Sequence, residues 1–218
     1  MIKAFIFDVD GTIVDTKQLH INSWVRAFRE FGIDMSAEKI RSQLGRRATE
    51  IAKTLLPKER LNDAASIAEK KKLIYQEYYP QARLIPMTKE LFALLRKDNI
   101  KIALATSAAR IDAEFYINNF SLKNHIDALV TAEDVRFSKP HPEIFLKAAV
   151  QLRVKPNESV AVGDSPYDMA SAKNAGMLAI GVLTGGYPRK ELKDAGAHRV
   201  YQDIQDLYKH LEEISKNF

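Results

Sequence analysis

Two aspartates stand two residues apart in Asp8-Val9-Asp10-Gly11-Thr12, directly after the apolar run Ala4-Phe5-Ile6-Phe7. Carboxylates at i and i+2 point the same way where an extended strand ends. Their charges repel, so ionising both requires a compensating cation or a shared proton. A hard divalent ion with oxygen ligands, such as Mg2+, meets that need. Gly11 lets the backbone turn sharply and approach a ligand closely. A capping aspartate in an ordinary turn would also account for this pentapeptide, so its meaning depends on three features downstream.

Thr106-Ser107 closes the strand-like run Ile100–Ala105. A hydroxyl and backbone N–H groups at a strand end can hold phosphate oxygens. Lys139 lies in Ser138-Lys139-Pro140-His141-Pro142. The prolines stiffen that loop, and the lysine supplies a point positive charge. Gly163-Asp164-Ser165-Pro166-Tyr167-Asp168 adds two more carboxylates after another strand. Together these groups suit an anion-plus-metal site. A carboxylate can attack phosphorus and form an aspartyl-phosphate, and a second carboxylate is then available as acid and base. The repulsion between carboxylate and phosphate must be offset, and metal plus lysine offsets it.

The elements that must position these groups alternate beyond residue 85. Strands are expected at 100–105, 128–130, 159–163 and 178–182, and helices at 111–120, 142–152, 169–175 and 204–215. Such alternation predicts an α/β fold, a parallel sheet covered on both faces. Ligands of such sheets sit at the carboxyl ends of the strands. Residues 16–82 break the rhythm and show only helical periodicity. Trp24, Phe28 and Phe31 lie on one apolar face there, read as packing rather than a ligand pocket. The expected organisation is a core of residues 1–15 and 83–218, carrying an all-helical insertion, 16–82. Because the insertion leaves and rejoins beside the suspected site, it is expected to act as a lid.

A chain of 218 residues can bury a real core in one domain with an insertion. Its net charge of +5 is spread along the chain, and the basic clusters (Arg46-Arg47, Lys70-Lys71-Lys72) are short and not interleaved with aromatics. That fits anionic small ligands and argues against nucleic acid. With no cysteine, disulfides and thiolate metal sites are excluded. Met1 leads straight into the first strand, and no apolar run is long enough to span a membrane. A cytoplasmic protein is expected, and a monomer, since no exposed heptad or repeated apolar face is evident.

As a set, the four motifs resemble the haloacid dehalogenase superfamily over nearly the whole chain. Its Asp-x-Asp-Gly-Thr matches Asp8–Thr12, its Thr or Ser matches Thr106, its lysine matches Lys139 in a Lys-Pro-x-Pro setting, and its Gly-Asp-x-x-x-Asp matches Gly163–Asp168. The resemblance implies a Rossmann-like core with a small helical cap. It implies that Asp8 is the nucleophile and a Mg2+ ligand, and that Asp10 is the general acid and base, its carbonyl also binding the metal. Asp164 would be the third protein ligand, with Asp168 behind it orienting Lys139 or metal-bound water. Thr106 and Lys139 would bind the phosphoryl group, with Gly11, Thr12 and Ser107 lining the same place.

Within that superfamily, dehalogenases need no metal and resemble the chain only in part. Phosphonate hydrolases use a cap lysine as a Schiff base, and none of Lys39, Lys53, Lys58 or Lys70 is singled out by its setting. The beta-phosphoglucomutase group shares the stretch Lys139–Phe145 and a histidine matching His20, but typically has Glu where this chain has Gly163. Gly163 with Asp168, and the segments Thr184–Tyr187 and Ala195–His198, resemble phosphoglycolate-phosphatase-like enzymes instead. The expected function is a Mg2+-dependent phosphatase of a small phosphate ester, with the mutase as the alternative and a phospho-aspartate signalling switch more remote. His20 would contact Asp10 from the first cap helix, and Arg46, in a turn facing the site, would grip a second anionic group.

Overall fold

The computed structural model describes residues 2–211. In chain order the elements are β1 (Ala4–Phe7), β2 (Val14–Asp15), α1 (Lys17–Glu30), α2 (Ala37–Arg41), α3 (Ala48–Leu55), α4 (Ala64–Glu77), β3 (Arg83–Leu84) and α5 (Thr88–Lys97). They continue with β4 (Lys101–Ala105), α6 (Arg110–Asn119), β5 (Ala128–Val130), α7 (Glu143–Leu152), β6 (Ser159–Gly163), α8 (Pro166–Asn174), β7 (Leu178–Val182), α9 (Arg189–Asp194), β8 (Arg199–Tyr201) and α10 (Ile204–Lys209).

Six strands form one sheet in the order β5-β4-β1-β6-β7-β8, and every pairing is parallel. The α/β fold is Rossmann-like. Alternation along β1 sends Phe5 and Phe7 to one face and Ala4 and Ile6 to the other. The Phe face packs on α5, α6 and α10 through Leu91, Phe92, Tyr116, Ile117, Ile204 and Leu207. The opposite face is dominated by alanines, Ala103, Ala105, Ala161 and Ala179, which let α7 and α8 approach closely through Phe145, Ala148 and Ala172. The chain leaves β1 for β4 on one side and later crosses to β6 on the other, so the switch point lies at β1.

Two elements differ from the sequence reading. The helix α5 was not anticipated, although Thr88, Leu91, Phe92 and Leu95 are all buried at helical spacing. Strand β8 was also missed, and it extends the sheet by one edge. Of the last helix expected at 204–215, Ile204–Lys209 is helical, and 212–218 lie outside the described residues.

Residues 16–82 hold four α-helices with a separate apolar centre built on Trp24, Phe28, Ile40, Ile51, Ile67 and Ile74. The chain passes into and out of this layer through a two-stranded antiparallel ribbon, in which Val14 pairs with Leu84 and Asp15 with Arg83. No helix among the described residues is long and apolar enough to cross a membrane.

Candidate active site

Strand β1 stops at Phe7, and the Asp8 N–H donates to the Val162 carbonyl of β6 at 2.8 Å. The carbonyl of Val9 then accepts from the N–H groups of Thr12, Ile13 and Val14, and Gly11 takes φ +79° inside this turn. An L side chain is strained there, and a Cβ on Gly11 would also overlap the Asp164 carboxylate. The turn delivers Asp8 and Asp10 to one cavity by different routes.

Asp8 is buried and faces Lys139, whose Nζ lies 2.7 Å from Asp8 Oδ1, 2.7 Å from Asp168 Oδ1 and 3.0 Å from the Ala105 carbonyl. Lys139 is 1% exposed, so the lysine of an apparently open loop is one of the most buried side chains. Burial opposes its charge, but Asp168 and Asp8 outweigh it and hold the ammonium above its ordinary range. Asp8 is pushed up to about 7, first by burial, with Asp168 and Asp10 adding and Lys139 opposing. Both oxygens of Asp168 are spent. Oδ1 pairs with Lys139, and Oδ2 accepts from Ser165 N at 3.0 Å and Ser165 Oγ at 2.5 Å. Ser165 in turn caps α8, with Pro166 in its first turn.

Asp8, Asp164 and Asp168 offer oxygens within 4.8 Å of one another. Since Asp168 is tied to Lys139 and Ser165, Asp8 and Asp164 are the carboxylates left for a cation. Burial, then Asp168 and Asp8, raise the Asp164 pKa well above its ordinary value. Such a cluster is costly without a cation. Gly11 and Gly185 flank Asp164 so closely that a Cβ on either would overlap it. The donor set and the room beside it fit a hard divalent ion. Thr12, expected at the phosphate, is instead wholly buried, and its hydroxyl donates toward Asp8 (3.3 Å) and Asp164 (3.4 Å).

Asp10 points into the helical layer. Its Oδ1 accepts from Thr16 Oγ1 at 2.8 Å and meets His20 Nε2 at 2.9 Å. His20 Nδ1 lies 2.8 Å from Lys71 Nζ. An ammonium only donates, so Nδ1 accepts and Nε2 carries the proton given to Asp10. Burial raises the Asp10 pKa, but His20, Thr16 and Lys71 outweigh it and hold the group below its ordinary value. Burial and Lys71 depress His20, against the pull of Asp10. Lys71 is lowered to about 8 by burial, with Asp112 and Asp10 opposing. The His20 ring stacks on Tyr75 at 4.0 Å, and Tyr75 and Tyr116 share a hydroxyl contact behind it.

Lys71 was missed from sequence, where other insertion lysines drew attention. The signal was present: Ile67, Ala68, Ile74 and Tyr75, at −4, −3, +3 and +4, are all buried.

The cavity holds about 230 Å³ and runs between the strand ends and α1, α3 and α4. Asp8, Asp10, Gly11, Thr106, Ser107 and Asp164 line one end. Thr106 Oγ1 accepts from Ala108 N at 3.0 Å, and Ser107 Oγ is buried without a hydrogen-bond partner. Trp24, assigned to packing alone, forms part of the wall as well as the helical core. Arg46 also lines the cavity, yet its guanidinium is held by Gln43 (2.8 Å), Thr54 (3.1 Å) and Glu50 (3.6 Å).

Arg47 turns the other way. It donates to the carbonyls of Ala132 (2.6 Å), Val135 (2.7 Å) and Arg136 (3.3 Å), and so clasps the helical layer to the loop that leads to Lys139. Ser138 Oγ donates to Glu50 at 2.5 Å beside it. On the far side Tyr187 donates to the carbonyls of Arg41 (3.1 Å) and Leu44 (3.2 Å), and Tyr167 to that of Ser42 (3.3 Å).

Known proteins resemble this chain along most of its length. The family model described as haloacid dehalogenase-like hydrolase matches residues 5–182. A Caldanaerobacter subterraneus protein with the provisional name pyrophosphatase PpaX is 34% identical, over 95% of this chain and 94% of its own. A Thermotoga maritima phosphorylated carbohydrates phosphatase is 29% identical, over 89% of this chain and 92% of its own. The crystal structure of a hydrolase from Pseudomonas syringae superposes with a TM-score of 0.90 at 33% identity, covering 97% of this chain and 99% of that one. The chain is therefore an enzyme of the haloacid dehalogenase-like hydrolase family.

Proposed function

We propose that the protein is a Mg2+-dependent phosphatase of small phosphorylated metabolites, working through an aspartyl-phosphate on Asp8. The observation that carries this reading is the Asp8–Lys139–Asp168 chain at 2.7 Å per link, beside Asp164. A buried ammonium holds one oxygen of Asp8 and leaves the other toward the cavity. Ser107 Oγ and the backbone after Thr106 offer donors for the phosphoryl oxygens. Asp8, Asp164 and the carbonyl of Asp10 would hold Mg2+. When bound, that ion would offset the charge of the phosphoryl group and of Asp8.

Asp8 attacks phosphorus as the bond to the ester oxygen breaks, and that oxygen takes a proton through Asp10, which draws it from His20 Nε2 as Lys71 gives one to Nδ1. Asp10, again a carboxylate, then takes a proton from the water that hydrolyses the phospho-enzyme. The His20 contact fixes the Asp10 carboxylate in its acceptor state for this second step. The helical layer, residues 16–82, acts as a cap over the cavity, excluding bulk water while the phospho-enzyme exists.

Pairing of Gly163 with Asp168 favours the phosphatase over the mutase reading. The Bacillus subtilis beta-phosphoglucomutase, 29% identical over 84% of this chain, keeps that alternative within reach of one assay. Phosphate release from a panel of small esters is measured with Mg2+, with EDTA and in Asp8→Asn. Metal-dependent release that vanishes in the variant supports the proposal. Full activity in Asp8→Asn refutes the mechanism, and conversion of beta-glucose 1-phosphate to glucose 6-phosphate without release favours the mutase.

A further inference from the structure

We propose that Asp112 selects the leaving group, and that the cavity accepts phosphate monoesters of neutral polyhydroxy compounds in preference to substrates carrying a second anionic group. The inference rests on the phosphatase reading and specifies its substrate.

Asp112 lies in the first turn of α6 and is 5% exposed, yet it lines the cavity. Its Oδ1 accepts from the Tyr79 hydroxyl. Among the described residues nothing donates to Oδ2. A carboxylate on a cavity wall with one oxygen already bound has acceptor capacity left for a ligand donor. Lys71 lines the same cavity, gives one N–H to His20 and lies over the Tyr75 ring, and its ammonium carries three donors in all. Acceptor and donor together match the two capacities of a hydroxyl group. Trp24, Ile51 and Ala68 supply apolar wall between the polar groups, suited to the C–H faces of a ring or chain.

Charge points the same way. The cations lining the cavity are Lys17, Arg46, Lys71 and Lys72. Arg46 pairs with Glu50 at 3.6 Å and Lys72 with Glu69 at 3.9 Å. Lys71 sits in the field of Asp112 and Asp10, and Lys17 in that of Asp164 and Asp15. Five carboxylates, Asp8, Asp10, Glu69, Asp112 and Asp164, line the cavity beside these four cations. A second phosphate or carboxylate on the substrate would meet the carboxylates of Asp112 and Glu69. The space of about 230 Å³ also limits the leaving group to roughly one small ring or chain.

A site that hydrogen-bonds a substrate hydroxyl discriminates strongly against analogues that lack it, because its own buried groups are then left unpaired. The test is steady-state kinetics with Mg2+ on hexose and polyol phosphates, phosphoglycolate, pyrophosphate and p-nitrophenyl phosphate. Wild type, Asp112→Ala and the near-isosteric Asp112→Asn are compared. In the wild type, kcat/KM for the best polyhydroxy ester should exceed that for phosphoglycolate and pyrophosphate by about tenfold or more. Asp112→Ala should lower the ratio of that ester to p-nitrophenyl phosphate by about tenfold, mainly through KM. Asp112→Asn should narrow the gap to pyrophosphate. A wild type that prefers phosphoglycolate or pyrophosphate overturns the inference, as does an Asp112→Ala that loses activity equally on every ester. Failure to turn over any ester, p-nitrophenyl phosphate included, refutes the phosphatase reading and the inference with it.

Discussion

Asp8→Asn should separate the chemical role of this carboxylate from its energetic cost. Native Asp8 keeps its proton up to about 7, whereas the unfolded chain releases it near the ordinary 3.8. Between those values the native state binds more protons, so stability falls as pH rises. The contribution is full below 3.8 and lost once pH passes 7. The rise from 3.8 to about 7 costs the metal-free fold about 4 kcal/mol at pH 8. Asparagine has nothing to ionise and escapes this cost, while Lys139 keeps Asp168 and the Ala105 carbonyl as partners. For a chain of this size that is a gain in Tm on the order of 10 °C over metal-free wild type at pH 8. The gap should shrink to a few degrees, roughly, at pH 4.5. The assay is thermal unfolding in EDTA across pH, repeated with saturating Mg2+. Mg2+ should raise the wild-type Tm at pH 8 far more than that of the variant. A Tm difference independent of pH would refute the claim that buried Asp8 carries this cost.

Lys139→Met leaves Asp8 and Asp168 buried without their cation and should cost about 3–5 kcal/mol in chemical denaturation. Adding Asp168→Asn should restore part of that stability but none of the activity; an additive loss would mean the pair is not coupled. Arg47→Ala removes three donated hydrogen bonds between the helical layer and the loop 132–136. KM should rise about tenfold, with a smaller change in kcat; an unchanged KM would show that this clasp does not hold the closed arrangement. His20→Ala removes the donor that helps hold Asp10 below its ordinary pKa. The acid limb of the pH profile for phospho-enzyme hydrolysis, the step in which Asp10 acts as base, should move to higher pH, and a limb that stays in place would take His20 out of the control of Asp10.

Most of the sheet was legible in the sequence because its strands are short, wholly apolar and bounded by turn residues. The runs 128–130, 159–163 and 178–182 coincide with β5, β6 and β7. The ribbon of β2 and β3 could not be read, since two residues each carry no period and pair only through the return of a long insertion. Within the site, residue types and spacing brought Asp8, Asp10, Lys139, Asp164 and Asp168 to one place. What they did not show was which groups are already spent. Arg46 is positively charged and lines the cavity, but Glu50 and two neutral side chains hold it. Lys71, in the middle of three lysines, looks like part of a solvated run, and only the helical phase of its buried neighbours puts it inside.

Gly163 and Asp168 are best understood as one steric decision. A Cβ on Gly163 would overlap Cβ and Cγ of Asp168, so a side chain at 163 and the observed place of Asp168 exclude each other. With 163 bare, Asp168 can lie against β6, accept from Ser165 at the start of α8, and present its other oxygen to Lys139. Lys139 is thereby held between two carboxylates instead of one. On the proposed mechanism, this keeps one carboxylate on Lys139 when Asp8 becomes esterified to phosphorus. The bare position at 163 thus lets Asp168 reach Lys139, and on the proposed mechanism its pairing with an aspartate five residues on links the backbone of β6 to the phospho-enzyme.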